Sequence, residues 1–324
     1  MKYCGLRFLS VFLLLYPIAA LPQTWPAPGR ELKVVVGFPA GGGGADVSAR
    51  FFASKLAEVS GHPVIVENRA GMISSLGADA VAKSKPDGYT ILLAPASSSH
   101  AANLVLFKKL PYDPVKDFTP VTTLYRTTFF LMVNAKSPHR TVPELTAALR
   151  AAGSKASYAY GSPPALAAAE FYKFRAGLQS VGIAYKTAVA TLGEMYSGEL
   201  DFQFIDATFA MTQIRAGKMR ALAITSGQRS ALIDLPTMAE AAGIPEFDIA
   251  PWWAVFLPAG VPQPVVARLE GWFNQVVALD DTRKYLAGNG AEPLPGNQKL
   301  VAELLGREIR KWAELARIAK FEPE

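Results

Sequence analysis

The stretch that most constrains the fold is LKVVVGFPAGGGGADVSAR, from Leu32 to Arg50. Its first residues, Leu32 to Val36, form a β-branched apolar run that predicts a short buried strand. Four glycines follow at Gly41–Gly44, and the apolar residues after Asp46 recur at helical spacing, which predicts a helix beginning near Ala45. Main-chain N–H groups at glycines can approach a ligand closely, and a helix N-terminus adds unpaired donors. A flexible turn is the simpler alternative, but four glycines before a helix favour an anion site.

The N-terminal segment predicts export. Lys2 and Arg7 precede a short apolar run at 8–15, and the small residues Ala19-Ala20 follow, as in a secretory signal peptide with cleavage after residue 20. The run is too short to span a membrane, and Pro17 disfavours a retained anchor. Cleavage lowers the formal net charge from +6 to +4 and removes Cys4, the only cysteine. We therefore expect a periplasmic protein that is stable without disulfides.

Length and element order predict two α/β units. The chain has 324 residues, half of them hydrophobic and 19% charged, which is typical of a folded protein with room for two cores. Strands alternate with helices, so we expect mostly parallel sheets with ligands at the carboxyl ends of the strands. Three loops then share one edge: Gly41–Gly44, Gly71–Leu76 and Ser97–His100. The extended segment Thr119–Asn134 leads to a second β/α series, and two long amphipathic helices close the chain.

A set of short motifs runs through nearly all of the mature chain. They are Phe38-Pro39-Ala40-Gly41-Gly42 with Asp46 and Ala49-Arg50; Pro63-Val64 to Val66-Glu67-Asn68-Arg69; Gly77-Ala78-Asp79-Ala80-Val81-Ala82; Lys85-Pro86-Asp87-Gly88-Tyr89-Thr90; Lys108-Lys109-Leu110-Pro111-Tyr112-Asp113-Pro114 with Asp117-Phe118; Gly198-Glu199-Leu200-Asp201; Ala216-Gly217-Lys218 with Arg220-Ala221-Leu222-Ala223; Pro236-Thr237; and Pro258-Ala259-Gly260. Each motif is weak alone. In this order and at these spacings, the chain resembles the extracytoplasmic solute-binding receptors of tripartite tricarboxylate transporters, the Bug or TctC family.

The resemblance implies a type II periplasmic-binding-protein fold, in which two α/β lobes close on a small carboxylate. The first lobe would comprise residues 21–124 and 229–324 and the second 125–228, with crossovers near Thr122–Thr128 and Thr225–Gln228. In this family a ligand carboxylate is held by main-chain N–H groups, hydroxyls and waters, without an obligatory arginine. Carried over by position, the ligand-binding residues are Phe38, Ala40, Gly41, Gly42, Gly43, Gly44 and Ala45; Ser97, Ser98 and Ser99; Gly161 and Ser162; Tyr185, Thr187 and Ala188; and Asp206.

Several positions depart from the family pattern. The glycine loop is one residue longer, and Met72-Ile73-Ser74-Ser75 stands where the family has a Gly-rich run. The loop at Gly161 is about two residues short and continues into Pro163-Pro164. Thr187-Ala188 replaces Gly-Ser, so one hydroxyl is lost and another has moved. Fewer hydroxyls on the second lobe would weaken recognition of a second polar group on the ligand.

Other polar residues have structural interpretations. Asp46 and Arg50 stand one helical turn apart, which predicts an ion pair, and Asp46 is expected to cap the helix. For Asp206, ligand binding and loop capping remain open alternatives. The histidines at 62, 100 and 139 are scattered, so no metal site is expected, and His100 is expected to make a structural hydrogen bond. Trp252-Trp253 is expected to pack in the core or between the lobes.

Two other classes of protein remain as alternatives to a receptor. Strand, glycines, helix and Glu67 resemble a dinucleotide fingerprint, so an NAD-dependent oxidoreductase could use the Gly41–Gly44 loop and Glu67. Pro39, the absence of the third glycine and the predicted export count against it. A purely structural exported protein would not need the glycine loop. We predict a non-enzymatic, monomeric receptor with no cofactor and no nucleic-acid partner, which delivers a carboxylate to a membrane permease or, alternatively, to a signalling partner as a sensor.

Overall fold

The computed structural model describes residues 25–41, 44–185, 187–319 and 323. The predicted signal peptide and two of the predicted site residues, Gly42 and Gly43, lie outside these ranges. The predicted strand and the predicted helix on either side of the glycines are present at the start of the first lobe. Its elements in chain order are β1 (Leu32–Val36), α1 (Gly44–Ser60), β2 (Val64–Asn68), α2 (Ser75–Ala82), β3 (Thr90–Pro95), a π-helical turn (Ser97–Ala102), α3 (Asn103–Leu106) and β4 (Phe118–Arg126).

The second lobe repeats the strand and helix alternation. Its elements are β5 (Phe129–Asn134), α4 (Val142–Ala152), β6 (Ser157–Tyr160), α5 (Pro163–Ala176), β7 (Val181–Ala184), α6 (Leu192–Ser197), β8 (Phe202–Asp206), α7 (Ala207–Arg215) and β9 (Met219–Ile224). Short 3₁₀ turns cover 153–155 and 188–191. Thr141 caps α4, because its hydroxyl accepts a hydrogen bond from the Glu144 N–H at 3.3 Å.

The remaining elements are α8 (Met238–Ala242), β10 (Trp252–Pro258), α9 (Gln263–Ala278), α10 (Asp280–Gly288), β11 (Glu292–Pro293) and α11 (Gln298–Ala319). Strand β10 falls within a Pro-rich stretch in which no strand is predicted. All seven of its residues are buried, because it lies between β3 and β4 in the middle of the sheet. A strand covered on both faces shows no polar and apolar alternation, so its pattern is easily overlooked.

Both sheets are mixed, which corrects the expectation of mostly parallel sheets. The first sheet has the order β11-β4-β10-β3-β1-β2 and the second β7-β6-β8-β5-β9. Each contains a parallel set of three strands, β1 to β3 in one and β6 to β8 in the other. The strands β4, β5 and β10 adjoin the passages between the lobes. Strand β10 pairs antiparallel with β3 and with β4, and β5 pairs antiparallel with β8. The two-lobe α/β fold itself is as predicted.

The chain returns to the first sheet later than the predicted crossover at Thr225–Gln228. Residue Thr237 forms a parallel bridge with Ile224, and α8 packs against α4 and β9 of the second lobe. The return occurs between Ile249, whose N–H bonds to the Thr225 carbonyl, and Trp252, where β10 begins. The lobe boundaries stay a prediction, and we propose that residues 229–248 belong to the second lobe.

Helix α11 joins the two lobes. It packs against β4 and the π-helical turn of the first lobe and against α5 of the second. Trp312, which is 1% exposed, lies in a hydrophobic cluster that also contains Phe171 from α5 and Phe256 from β10. One apolar core therefore continues across the lobes on this side. Within the described ranges, no helix combines the length and apolar composition that a membrane span needs.

The predicted loop at Ser97–His100 is helical and buried. The His100 ring is 0% exposed, stacks on Phe256 with ring centres 4.0 Å apart, and its Nδ1 lies 2.8 Å from the Ser99 hydroxyl. This contact confirms the structural hydrogen bond expected for His100. Burial lowers the pKa of the His100 imidazole from 6.5 to about 3, because a charged ring would be desolvated there.

We predict that this histidine destabilises the protein in mild acid. The unfolded chain takes up a proton near pH 6.5 and the folded chain does not, so stability falls as the pH drops from 6.5 towards 3. Between pH 7.5 and 5 the contribution is about 2 kcal/mol. In urea unfolding at the two pH values, His100→Phe should lose less stability on acidification than wild type, whereas the His139→Phe control should behave as wild type. Equal losses in His100→Phe and wild type would contradict the prediction.

Candidate ligand-binding cleft

The parallel strands place the predicted site residues on two sheet edges. The strands β1, β2 and β3 run in the same direction. The glycine loop, the 71–75 loop and the π-helical turn each come after one of these strands, so all three lie at the same edge of the first sheet. On the second sheet, β6, β7 and β8 likewise bring Gly161-Ser162, Tyr185–Ala188 and Asp206 to one edge. The two edges meet at Gly44, where a Cβ atom would lie 3.5 Å from the Cβ of Thr208 on α7. The loops therefore flank a cleft between the lobes.

A buried carboxylate secures the base of the glycine loop. Asp46, 3% exposed, accepts hydrogen bonds from the Gly41 N–H at 2.9 Å, from Asn68 Nδ2 at 2.7 Å and from Arg50 Nε at 3.0 Å. Burial alone would raise the pKa of the Asp46 carboxyl, but these three donors together lower it. The predicted ion pair with Arg50 is confirmed. The Gly41 N–H is thus already engaged by a side chain of the fold.

The other first-lobe residues carried over from the family lie around this base. Phe38 is half-buried, its carbonyl accepts a hydrogen bond from Asn68, and its ring centre lies 6.2 Å from that of Trp253. Ala40 is exposed, and Ala45 is half-buried in the first turn of α1. Trp253 itself is buried and stacks on Tyr125, which agrees with the packing role expected for it.

The loop between β2 and α2 is backbone-strained. Met72, Ile73 and Ser74 have φ of 45°, 50° and 70°, a left-handed conformation that costs a residue with a side chain about 1–2 kcal/mol. Asn103 holds the loop by donating to the Ile73 carbonyl at 2.9 Å and to the Ser75 hydroxyl at 2.8 Å. These are the positions at which the family pattern has glycines, so the departure noted from the sequence has a structural cost.

The strained loop is pressed against the start of the glycine loop. A Cβ atom at Gly37 would lie 2.6 Å from the Ser74 Cα, and one at Gly77 would lie 2.8 Å from the Gly37 Cα. Contacts this short exclude any side chain at either glycine. The 71–75 loop therefore sets the position of the segment that leads into Gly41.

The serines of the π-helical turn are largely occupied by internal contacts. The Ser97 hydroxyl accepts a hydrogen bond from the Trp252 N–H at 3.4 Å, and the Ser99 hydroxyl donates to the Pro95 carbonyl at 3.2 Å. Ser98 is 6% exposed, and its hydroxyl makes no hydrogen bond with a described residue. All three are buried, so a ligand role for them remains a prediction.

Two loops of the second lobe lie in direct contact. A Cβ atom at Gly161 would be 2.5 Å from the Thr187 carbonyl carbon and 2.6 Å from the Ala188 nitrogen, so only glycine fits. Ser162 caps α5, but its hydroxyl makes no capping bond. Pro163 and Pro164 occupy the first turn of that helix and remove two N–H donors that a helix N-terminus otherwise presents.

Most other polar groups on this edge have partners within the fold. The Thr187 hydroxyl accepts from the Ala190 N–H at 3.4 Å. The Tyr185 hydroxyl donates to Glu194 at 2.6 Å, and this bond to a carboxylate raises the pKa of Tyr185 to about 12. Asp206 caps α7 by accepting from the Phe209 N–H at 3.1 Å, and burial raises the pKa of its carboxyl. The capping role considered for Asp206 is present, and its role in ligand binding stays a prediction.

Contacts across the lobes involve residues that sequence reasoning did not single out. Arg215 on α7 donates to the Gly288 carbonyl at 2.7 Å, and Ser230 donates to Glu292 at 2.7 Å. At Gly290 a Cβ atom would lie 3.1 Å from the Cβ of Ala207. These contacts join residues far apart in the chain, so no local sequence pattern predicts them. The one signal in the sequence is that Gly290 and Gly44 are glycines, which allow close approach of another segment.

Two observations bear on the alternatives. Glu67, which a dinucleotide site would use, is ion-paired with Lys33 at 2.8 Å and with Arg69 on the surface of β2. Among the described residues, no group of three or more His, Cys, Asp or Glu side chains is placed to hold a metal ion.

Comparison with known proteins gives a consistent result. A family model described as "Tripartite tricarboxylate transporter family receptor", TctC, matches residues 48–320. The protein BugT of Bordetella pertussis is 31% identical over 315 residues, which cover 96% of each chain. An R. palustris protein solved with adipate has a TM-score of 0.83 and 30% identity, covering 92% of this chain and 99% of its own. MatC from Rhodopseudomonas palustris, solved with malate, has a TM-score of 0.77 and 29% identity, covering 89% and 99%.

We predict that Met72→Gly stabilises the protein. Glycine adopts positive φ without the Cβ penalty, and Met72 is 43% exposed, so little buried surface is lost. The free energy of unfolding should rise by about 0.5–1 kcal/mol in urea titration. Val47→Gly is the control: Val47 is 52% exposed on helix α1, and glycine there should cost about 0.5 kcal/mol. A loss of stability in both variants would show that the 71–75 loop is not strained.

Proposed function

The chain belongs to the tripartite tricarboxylate transporter receptor family, TctC, and on that premise we propose that it is a periplasmic receptor that captures a small carboxylate between its lobes and passes it to the membrane subunits of such a transporter. The single observation that supports a binding site between the lobes is the approach of Gly44, at the start of α1, to Thr208 on the opposite lobe. An anion at this helix N-terminus would meet unpaired N–H donors on one side and the α7 edge on the other.

We also propose that the protein is exported, with cleavage after Ala20, and that it binds its ligand without catalysing a reaction. A receptor needs only to bind, close and release, and closure about a hinge is the usual motion of this architecture. The relatives solved with adipate and malate support a carboxylate as the ligand class. The pairing of Glu67 with Lys33 and Arg69 supports a receptor over an NAD-dependent enzyme, because that carboxylate is already engaged by two cations.

The ligand class is tested by thermal unfolding with a panel of small carboxylates that includes adipate and malate. A ligand that binds only the folded state and is present at 100 times its Kd adds about 2.7 kcal/mol to the free energy of unfolding. The melting temperature of the protein should therefore rise. Adipamide, which has the shape of adipate without its charges, is the matched control and should have no effect where adipate does. NAD is tested in parallel. A shift with NAD and none with any carboxylate would overturn the proposal.

The cleft is tested at the contact between Gly44 and Thr208. Gly44→Ala places a methyl group at ordinary contact distance from Thr208 and should retain ligand affinity, whereas Gly44→Val adds two methyl groups to a filled space. We expect the valine variant to bind about tenfold more weakly in calorimetry, since the lobes can no longer close fully.

Restoring the space should restore binding. In the double variant Gly44→Val with Thr208→Ala, the removed atoms make room for the valine, and affinity should return most of the way towards wild type. If the double variant binds as weakly as Gly44→Val alone, or if Gly44→Val binds normally, contact between these two edges is not part of ligand capture.

A further inference from the structure

A cavity of about 780 Å³ lies beside the hinge. Its walls come from the first crossover at 126–128, from residues 226–230 and 245–250 near the second lobe, from β11, and from α11. No described residue of the cleft loops lines it. A molecule in this cavity would therefore touch both lobes while leaving the carboxylate cleft open.

The wall formed by α11 is apolar at one end and cationic at the other. Leu300 and Leu304 lie one turn apart and are followed on the same wall by Arg307 and Lys311. At 1.5 Å per residue, Leu300 and Arg307 are separated by roughly 10 Å along the helix. Leu294 adds a third apolar side chain. A ligand that matches this wall has an anionic head and an apolar tail.

Most charged groups around the cavity are already paired. Arg126 is hydrogen-bonded to Glu292, and Arg229 lies 3.0 Å from Glu240. The Lys311 ammonium lies 3.0 Å from the Glu308 carboxylate. Arg307 is exposed and forms no ion pair with a described acidic residue. It is thus the cation on this wall that is most available to an anion.

A buried donor on the same cavity also lacks a partner. Trp252 lines the cavity and is 4% exposed, and its indole N–H is buried with no hydrogen-bond acceptor among the described residues. Buried N–H groups are nearly always paired, because an unmet donor loses its hydration without compensation. The nitrogen is closed off from the cavity, so Trp252 contributes to the wall only through its other atoms.

We propose that the hinge cavity is a second binding site, specific for an amphipathic monocarboxylate. The carboxylate pairs with Arg307, and the tail covers Leu300 and Leu304. The proposal does not depend on the identity of the ligand in the cleft.

The test uses octanoate as the probe, titrated calorimetrically into the mature protein. Wild type should bind one equivalent. Arg307→Gln should weaken octanoate binding about tenfold, because a hydrogen-bonded charge is lost from the site. Arg310→Gln is the matched control: it removes the same charge from an exposed position on the same helix that does not line the cavity, so its affinity should stay at the wild-type value.

A cleft variant separates the two sites. Gly44→Val, which narrows the cleft, should bind octanoate as wild type does, and this holds whether or not the cleft binds carboxylates. Three results would each overturn the proposal: no octanoate binding by wild type, which means the cavity holds water only; equal weakening by Arg307→Gln and Arg310→Gln; or loss of octanoate binding in Gly44→Val, which places the probe in the cleft.

Discussion

Close approach of main chains at positions without a Cβ atom underlies the arrangement of the cleft. Gly37 and Gly77 let the strained 71–75 loop lie against the start of the glycine loop, and Gly161 lets its loop lie against Thr187-Ala188. Gly44 lets one lobe approach the other at Thr208. A side chain at Gly37, Gly77 or Gly161 would meet backbone within 3 Å, so the neighbouring loop would have to move. The cleft is thus shaped by backbone packing and not by a set of charged side chains.

The polar side chains near the cleft serve mainly to hold that backbone in place. Asp46 accepts three hydrogen bonds at the base of the glycine loop, Asp206 caps α7, and the Thr187 hydroxyl caps the turn that follows it. Satisfied polar groups of this kind rigidify the backbone around them. The prolines that open α5 reduce the N–H donors that its N-terminus presents on the second lobe.

The two lobes are coupled by more than their crossovers. Helix α11 packs on both, and one apolar cluster passes through it from Phe171 to Phe256. Contacts of the 288–292 segment with α7 and Ser230 lie at the same junction and add to this coupling.

The sequence by itself determined the local units: the β1 strand, the glycine loop with α1, the Asp46–Arg50 pair, the parallel strands and the two long C-terminal helices follow from periodicity and spacing within a few turns of chain. The ordered motifs also identified the family. Tertiary structure alone decided the mixed sheets, the buried strand β10, the helical turn at Ser97, the late return of the chain after Ile249 and the contact of Gly44 with Thr208. Each of these depends on residues more than about twenty positions apart, and side-chain periodicity carries no information about which distant surface will cover a segment.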